Sequence, residues 1–280
     1  SQAFDLMTLT NANVNHGQTW FHQTLSIATL NTLGAGTMGL RLVSWVSTVI
    51  MLVALYALLR TFSVPPLLRL LLAGILVAIP TTAFELGNSR SYIFLMAATA
   101  VSAWVLFSTM ISKKTTPFLL LTFTGAVLLG AMSHPYFPVV LAGLIAALLM
   151  AQYLMTRNLS FFREKRITAL LLISTAAGML SVLVGYLTWM RGSPDFSGDD
   201  PYEWLPVGPE FFLTTTALFF GAVIAISVFI AVTKHKSRIS QIEPKLAAGL
   251  TLVILGIGLS LFFSWVSISR EYLVLPRQWL

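Results

Sequence analysis

The side chains of this chain that could do chemistry are collected in a few short polar links between long apolar stretches. Arginine binds anionic groups through its forked donors, and histidine or carboxylate side chains can transfer protons. One set of links combines histidines, arginines and carboxylates with tyrosine and asparagine. Its members are His16, His22, Arg41, Glu85, Asn88, Arg90, Tyr92, His134, Tyr136, Arg270, Glu271 and Arg277. Three of the four histidines belong to this set, and any chemistry should be sought there.

Metal chemistry is not predicted for this set. The chain has no cysteine, which excludes disulfides, thiolate ligands and cysteine nucleophiles. His16 and His22 are six residues apart, whereas two ligands on one helical face are four apart. We therefore predict no metal site and no cofactor. A divalent cation bound by the acids of 195–203 is an alternative, against the simpler interpretation of a solvated loop.

The charges of the links alternate in sign along the chain, and this sorting predicts the topology. Twelve of the seventeen basic residues lie in one set of links or beside it, and eight of the ten acids lie in the other. The basic twelve are Arg60, Arg69, Lys113, Lys114, Arg157, Arg163, Lys165, Arg166, Lys234, Lys236, Arg238 and Lys245. Because Lys and Arg concentrate in cytoplasmic loops, the acidic links are predicted to face the periplasm or exterior.

Composition agrees with a membrane protein. Hydrophobic residues make up 56% of the chain and charged residues 10%, which excludes a soluble globular domain. The net charge of +7 is explained by the cytoplasmic loops, so nucleic acid is not an expected partner. We predict an all-α, polytopic transmembrane bundle that forms a single domain over 1–280.

About eight spans are predicted, each long enough to cross about 30 Å of hydrocarbon as a helix. They cover 42–60, 67–84, 92–111, 117–133, 137–155, 168–190, 211–233 and 246–267. Residues 1–40 are predicted to form an extracytoplasmic loop, with an amphipathic helix near 20–33 on the membrane surface. Residues 191–209 are predicted to form a second large outer loop. The chain is interpreted as a piece of a longer multi-pass protein.

Four segments of the outer links resemble motifs of one enzyme family. NHGQTWFHQTL followed by LRLVSW resembles the first outer loop and the next helix start of the membrane-embedded GT-C glycosyltransferases, such as the protein mannosyltransferases and aminoarabinose transferases. FELGNSRSYIF resembles their Glu-x-Arg-x-Tyr element, SHPYF their His-Tyr turn, and YLVLPRQWL their late Pro-Arg-Tyr-Leu element. The order of these segments also matches. His16-Gly17-Gln18 stands where the family has His-Pro-Pro, and Asn88 where it has Glu.

The resemblance implies a glycosyltransferase that uses a polyprenyl-phosphate-linked sugar. Asp5 or Glu85 would be the catalytic carboxylate. Asp5 lies closer to His16 than the family's acid lies to its His, so an acid upstream of this chain is the alternative. His16, Asn88, Arg90, Tyr92, His134, Arg270 and Arg277 would bind substrate. The implied partners are the lipid-linked donor, a lipid, glycan or protein acceptor, and membrane lipid. A single displacement at the anomeric carbon predicts inversion, since two closely placed carboxylates for retention are not evident.

Each candidate also has a structural interpretation. Asp5 can be a surface or helix-capping acid, Glu85 a salt-bridge partner of Arg90, and Tyr92 an interfacial anchor. Two other function classes remain open: a secondary transporter, and a non-catalytic protein on a GT-C scaffold. Spans nearly free of charge, without visible repeats, argue against ion-coupled transport. The predicted location is the bacterial inner membrane, with the site facing outward.

Overall fold

The computed structural model describes residues 20–33, 37–78, 92–133, 137–156, 164–192, 245, 247–256 and 258. These residues form eight helices and no β-strand, so the all-α prediction is confirmed for this part of the chain. We number the helices α1 (Trp20–Leu33), α2 (Thr37–Thr61), α3 (Pro66–Ala78), α4 (Tyr92–Ser112), α5 (Pro117–Ser133), α6 (Phe137–Thr156), α7 (Lys165–Gly192) and α8 (Ala247–Gly256).

Three helices are long and apolar enough to cross a membrane. They are α2 over Arg41–Thr61, α4, and α6, and they coincide with three of the predicted spans. The apolar helices α3, α5 and α8 are shorter, and α7 has 28 residues. The predicted span 211–233 and most of the loop 191–209 lie outside the described residues.

Prolines and hydroxyl side chains set several of the helix boundaries. Pro66 and Pro117 each occupy the first position of a helix, where the missing N–H costs no hydrogen bond. Thr116 caps α5 through its hydroxyl, which accepts a hydrogen bond of 3.2 Å from the backbone N–H of Leu119; this is the usual bond of an N-cap residue. Both helices therefore begin within one residue of their predicted spans.

The end of α2 is a left-handed turn at Ser63, which has a φ of 61°. The N–H of Val64 donates to the carbonyl of Leu59 and the N–H of Ser63 donates to the carbonyl of Arg60. This pair of bonds is the Schellman arrangement, which normally favours glycine at the left-handed position. Here serine occupies it, and its hydroxyl accepts a hydrogen bond of 2.7 Å from the Lys245 ammonium group.

Buried hydroxyl groups are mostly satisfied inside their own helices. Ser47 donates to the Val43 carbonyl, Ser174 to Leu170, and Thr251 to Ala247, each four residues earlier in its helix. Such bonds let Ser and Thr lie within apolar helices without an unpaired polar group. Ser102 and Thr109 of α4 are exceptions: both are fully buried, and neither hydroxyl has a hydrogen-bond partner among the described residues.

Helix α4 is at the centre of the packing and contacts α2, α5 and α6. Its end lies beside the end of α2, because the hydroxyls of Thr61 and Ser108 are 2.9 Å apart and the rings of Phe62 and Phe107 meet edge to face at 6.1 Å. Since these contacts join C-terminal parts of both helices, α2 and α4 run parallel. Large buried side chains, including Phe107 and Phe123, fill the space around α4.

The helix directions bring the basic residues together at one end of the bundle. We call this the basic end; it is formed by the ends of α2, α4 and α6 and the starts of α3, α5, α7 and α8. Its described cations are Arg60, Arg69, Lys113, Lys114, Lys165, Arg166 and Lys245. The basic links that the sequence places on one side therefore lie together at one end of the described residues.

Candidate functional site

The opposite end of the bundle carries the sequence motifs. We call it the Tyr92 end; it contains the starts of α2, α4 and α6 and the end of α5. A small buried cluster of Val43, Met51, Ile93, Phe94 and Ala97 joins the first turns of α4 to the N-terminal half of α2. These contacts fix the relative position of the LRLVSW and SYIF segments.

Helix α1 also lies at the Tyr92 end. Its Phe21 ring meets the Phe94 ring edge to face, with 6.3 Å between centroids. Near its other terminus, the Thr29 hydroxyl donates to the Gly39 carbonyl at 2.6 Å. The helix therefore spans from the start of α4 to the start of α2, and it coincides with the segment predicted to be helical in the first outer loop.

The sides of α1 are not cleanly divided into an apolar and a polar face. Among the side chains of α1 that the structure describes, Ser26 and Ile27 are buried, whereas Leu33 is 62% exposed. The helix packs against α2 and α5 rather than standing apart from the bundle. Its position on a membrane surface stays a prediction.

Tyr92 is the predicted site residue that the structure describes. It is the first residue of α4 and is half-buried, while the next residue, Ile93, is fully buried. This burial holds the first turn of α4 in place. The backbone of Tyr92 is thus anchored to the bundle, at the point where the segment with Glu85, Asn88 and Arg90 joins α4.

Helices α5 and α6 make a close contact near the ends that residues 134–136 connect. A Cβ atom added at Gly130 of α5 would lie 2.6 Å from Cδ2 and Cε2 of Phe137, and Phe137 is fully buried. Ser133, the last residue of α5, is fully buried too and donates to the Leu129 carbonyl. The end of α5 and the start of α6, which flank residues 134–136, are therefore firmly packed. Sequence reasoning did not single out Gly130, although a glycine followed seven residues later by an aromatic residue was visible.

The other predicted site residues lie outside the described part of the chain. They are Asp5, His16, Glu85, Asn88, Arg90, His134, Arg270 and Arg277. Arg41, in the outer-link set, is described and is exposed in the first turns of α2. The structure thus places the helix starts and ends that flank three of the four motifs, and the reactive side chains themselves remain predictions.

Charges among the described residues are strongly biased toward cations. Glu164 is the one acid with a described side chain, and it forms an ion pair with Arg166 at the start of α7. No group of three or more potential metal ligands occurs in the described part of the chain. The acids of 195–203, the alternative cation site, lie outside it.

Comparison with known proteins identifies no relative of this chain. No family model, no curated protein and no solved structure matches this chain. The GT-C resemblance therefore rests on the four sequence segments and on where the helices put their flanks.

Proposed function

We propose that this protein is a membrane glycosyltransferase that moves a sugar from a polyprenyl-phosphate-linked donor to an acceptor on the extracytoplasmic face. The observation that supports this most is the common location of the motif flanks. Arg41 lies near the start of α2, Tyr92 starts α4, and Ser133 and Phe137 border the α5–α6 turn. All are at the end opposite the basic end.

Each proposed role follows from the chemistry that the donor requires. Arg90, Arg270 and Arg277 bind the phosphate of the donor, because a guanidinium group offers two parallel donors to phosphate oxygens. Tyr92, Asn88, His16 and His134 orient the sugar and phosphate by hydrogen bonds. These side chains would be supplied by the links that leave the Tyr92 end.

The catalytic carboxylate in this proposal belongs to Asp5 or Glu85, and it acts as a base. It removes the proton from the acceptor hydroxyl, or orients that hydroxyl, as the oxygen bonds to the anomeric carbon. The bond from that carbon to the phosphate oxygen breaks in the same displacement, and the phosphate leaves as an anion held by arginine. The configuration at the anomeric carbon is inverted.

The proposed membrane topology has about eight spans, with the basic end in the cytoplasm. The positive-inside rule supports this orientation, since at least seven described cations lie at the basic end. The Tyr92 end then faces the periplasm of a bacterial inner membrane. The lipid tail of the donor would lie between helices, with its phosphate at the level of the Tyr92 end.

The experiment is transfer of labelled sugar from a panel of polyprenyl-phosphate sugars in membranes that contain the full chain. Labelled product above the level of membranes lacking the protein supports the proposal. A solute-uptake assay on the same vesicles tests the transporter alternative. Solute uptake without sugar transfer from any donor would refute the glycosyltransferase proposal. If neither transfer nor uptake occurs, the non-catalytic scaffold is favoured.

A further inference from the structure

The turn between α2 and α3 involves three basic residues, two of which bond to it through their side chains. Ser63 accepts a hydrogen bond of 2.7 Å from Nζ of Lys245. The Nε of Arg69 donates to the carbonyl of Val64 at 2.6 Å. Arg60 is exposed, and its carbonyl accepts the N–H of Ser63 at 2.9 Å. The side chains of Lys245 and Arg69 thus bond to two adjacent residues of the turn, and the exposed Arg60 precedes them in the chain.

The positive charge of this turn is not balanced within the described part of the chain. Glu164 is the one described acid and is paired with Arg166. Arg69 lies with its guanidinium carbon 4.9 Å from the centroid of the Tyr56 ring, which orients the side chain but brings no negative charge. An anionic ligand is therefore the electrostatic complement of the turn.

An apolar surface begins beside these cations. Helix α3 has no buried residue, and Leu67, Leu70 and Leu71 are 80%, 62% and 56% exposed. Arg69 belongs to the same helix, so a cation of the turn and these exposed leucines lie within the first two turns of α3. A ligand that matches both halves has an anionic head and a hydrocarbon tail.

We infer that the α2–α3 turn binds the phosphate of an anionic phospholipid, with its acyl chains along the exposed leucines of α3. Arg60, Arg69 and Lys245 contact the headgroup. Basic residues at the cytoplasmic end of membrane helices commonly recognise such headgroups. This site is at the basic end, away from the Tyr92 end, and it does not rest on the proposed function.

The test compares lipid binding to the purified full chain by native mass spectrometry. Dioleoyl phosphatidylglycerol and dioleoyl phosphatidylcholine are titrated separately in a neutral detergent. We expect the phosphatidylglycerol to bind more tightly. Arg60→Gln and Lys245→Gln should each weaken it roughly fivefold, the effect of losing one cation near an anionic headgroup, and leave the phosphatidylcholine affinity unchanged.

Arg41→Gln is the matched control, because Arg41 is also an exposed arginine of α2 but lies at the Tyr92 end. It should bind phosphatidylglycerol as the unmodified protein does. Equal losses in Arg60→Gln and Arg41→Gln would overturn the inference, since only general charge would then matter. Displacement of the lipid by an equal concentration of inorganic phosphate would overturn it as well, by showing that the acyl chains contribute nothing.

A second copy of the chain is the competing occupant of α3. Leu70→Cys, made in a chain that has no cysteine of its own, should not form disulfide-linked dimers in membranes if lipid covers this face. Efficient dimer formation through this position, together with equal affinity for the two lipids, would assign α3 to a protein interface and refute the lipid site.

Discussion

The ring of Phe137 occupies the space that a side chain at position 130 would need. A Cβ at Gly130 would lie 2.6 Å from two ring carbons, so the close approach of α5 and α6 depends on glycine. Phe137 is fully buried and follows the turn that contains His134. A packing contact thus anchors the helices on both sides of a candidate substrate-binding residue.

Gly130→Ala should therefore destabilise the protein. Overpacking of a buried contact typically costs about 1–3 kcal/mol. Gly125→Ala is the control in the same helix, because a Cβ there meets nothing within 4 Å, and alanine gains up to about 1 kcal/mol of helix propensity over glycine. Thermal unfolding in detergent should give a lower midpoint for the first variant and an equal or higher midpoint for the second. Equal midpoints would mean that Phe137 can move aside.

The contact of Arg69 with Tyr56 gives a second prediction. Tyr56→Leu removes the ring face under the guanidinium group and should cost roughly 0.5–1 kcal/mol of unfolding free energy, the usual value for an exposed cation–π pair. Tyr56→Phe keeps the ring face and should cost much less. The comparison is made by denaturant unfolding in one detergent, and a larger loss in Tyr56→Phe would show that the hydroxyl matters instead.

Two threonines on different helices test the cost of unpaired hydroxyls. Thr109 is fully buried without a hydrogen-bond partner among the described residues, whereas Thr251 is 1% exposed and donates to the Ala247 carbonyl at 3.0 Å. Removing an unsatisfied buried group is neutral or stabilising, so Thr109→Val should keep or raise the unfolding temperature. Thr251→Val should lower it slightly. The reverse order would indicate that Thr109 has a partner after all.

The orientation of the bundle can be tested with single cysteines, since the chain contains none. Asn31 at the Tyr92 end and Ser112 at the basic end are both exposed. In intact cells, a membrane-impermeant maleimide should label Asn31→Cys, and it should label Ser112→Cys only after the cells are permeabilised. Labelling in the opposite pattern would invert the topology and put the candidate site in the cytoplasm.

Helix positions were largely predictable from the sequence, and helix neighbours were not. Pro66 and Pro117 mark helix starts, and span length follows from membrane thickness, so α4, α5 and α6 match their predicted ranges to within one residue. Apolar helices such as α4 carry hydrophobic residues on every side, so periodicity cannot tell a lipid-facing side from a packed one. The pairing of α2 with α4 therefore follows from folded contacts, such as those of Thr61 with Ser108 and of Phe62 with Phe107.

For the candidate site, the residue types could be predicted from the sequence, whereas the positions of the helix ends that flank the motifs come from the structure. Charge sorting predicted that Arg41, Tyr92 and the His134 turn share a side, and the helix directions of the described residues bring their flanks to one end. The Gly130–Phe137 contact was not predicted, because two residues seven apart across a turn can meet in many ways. Only the folded backbone decides which.

The most direct test of the glycosyltransferase account is sugar transfer by two arginine variants of the full chain, measured with the donor that the unmodified protein uses best. Arg90→Ala should abolish transfer, because it removes the proposed phosphate contact beside Tyr92. Arg60→Ala, an equal change of charge at the basic end, should retain transfer, with both proteins present in the membrane at equal amounts. Full transfer by Arg90→Ala, or equal loss in both variants, would contradict a donor site at the Tyr92 end.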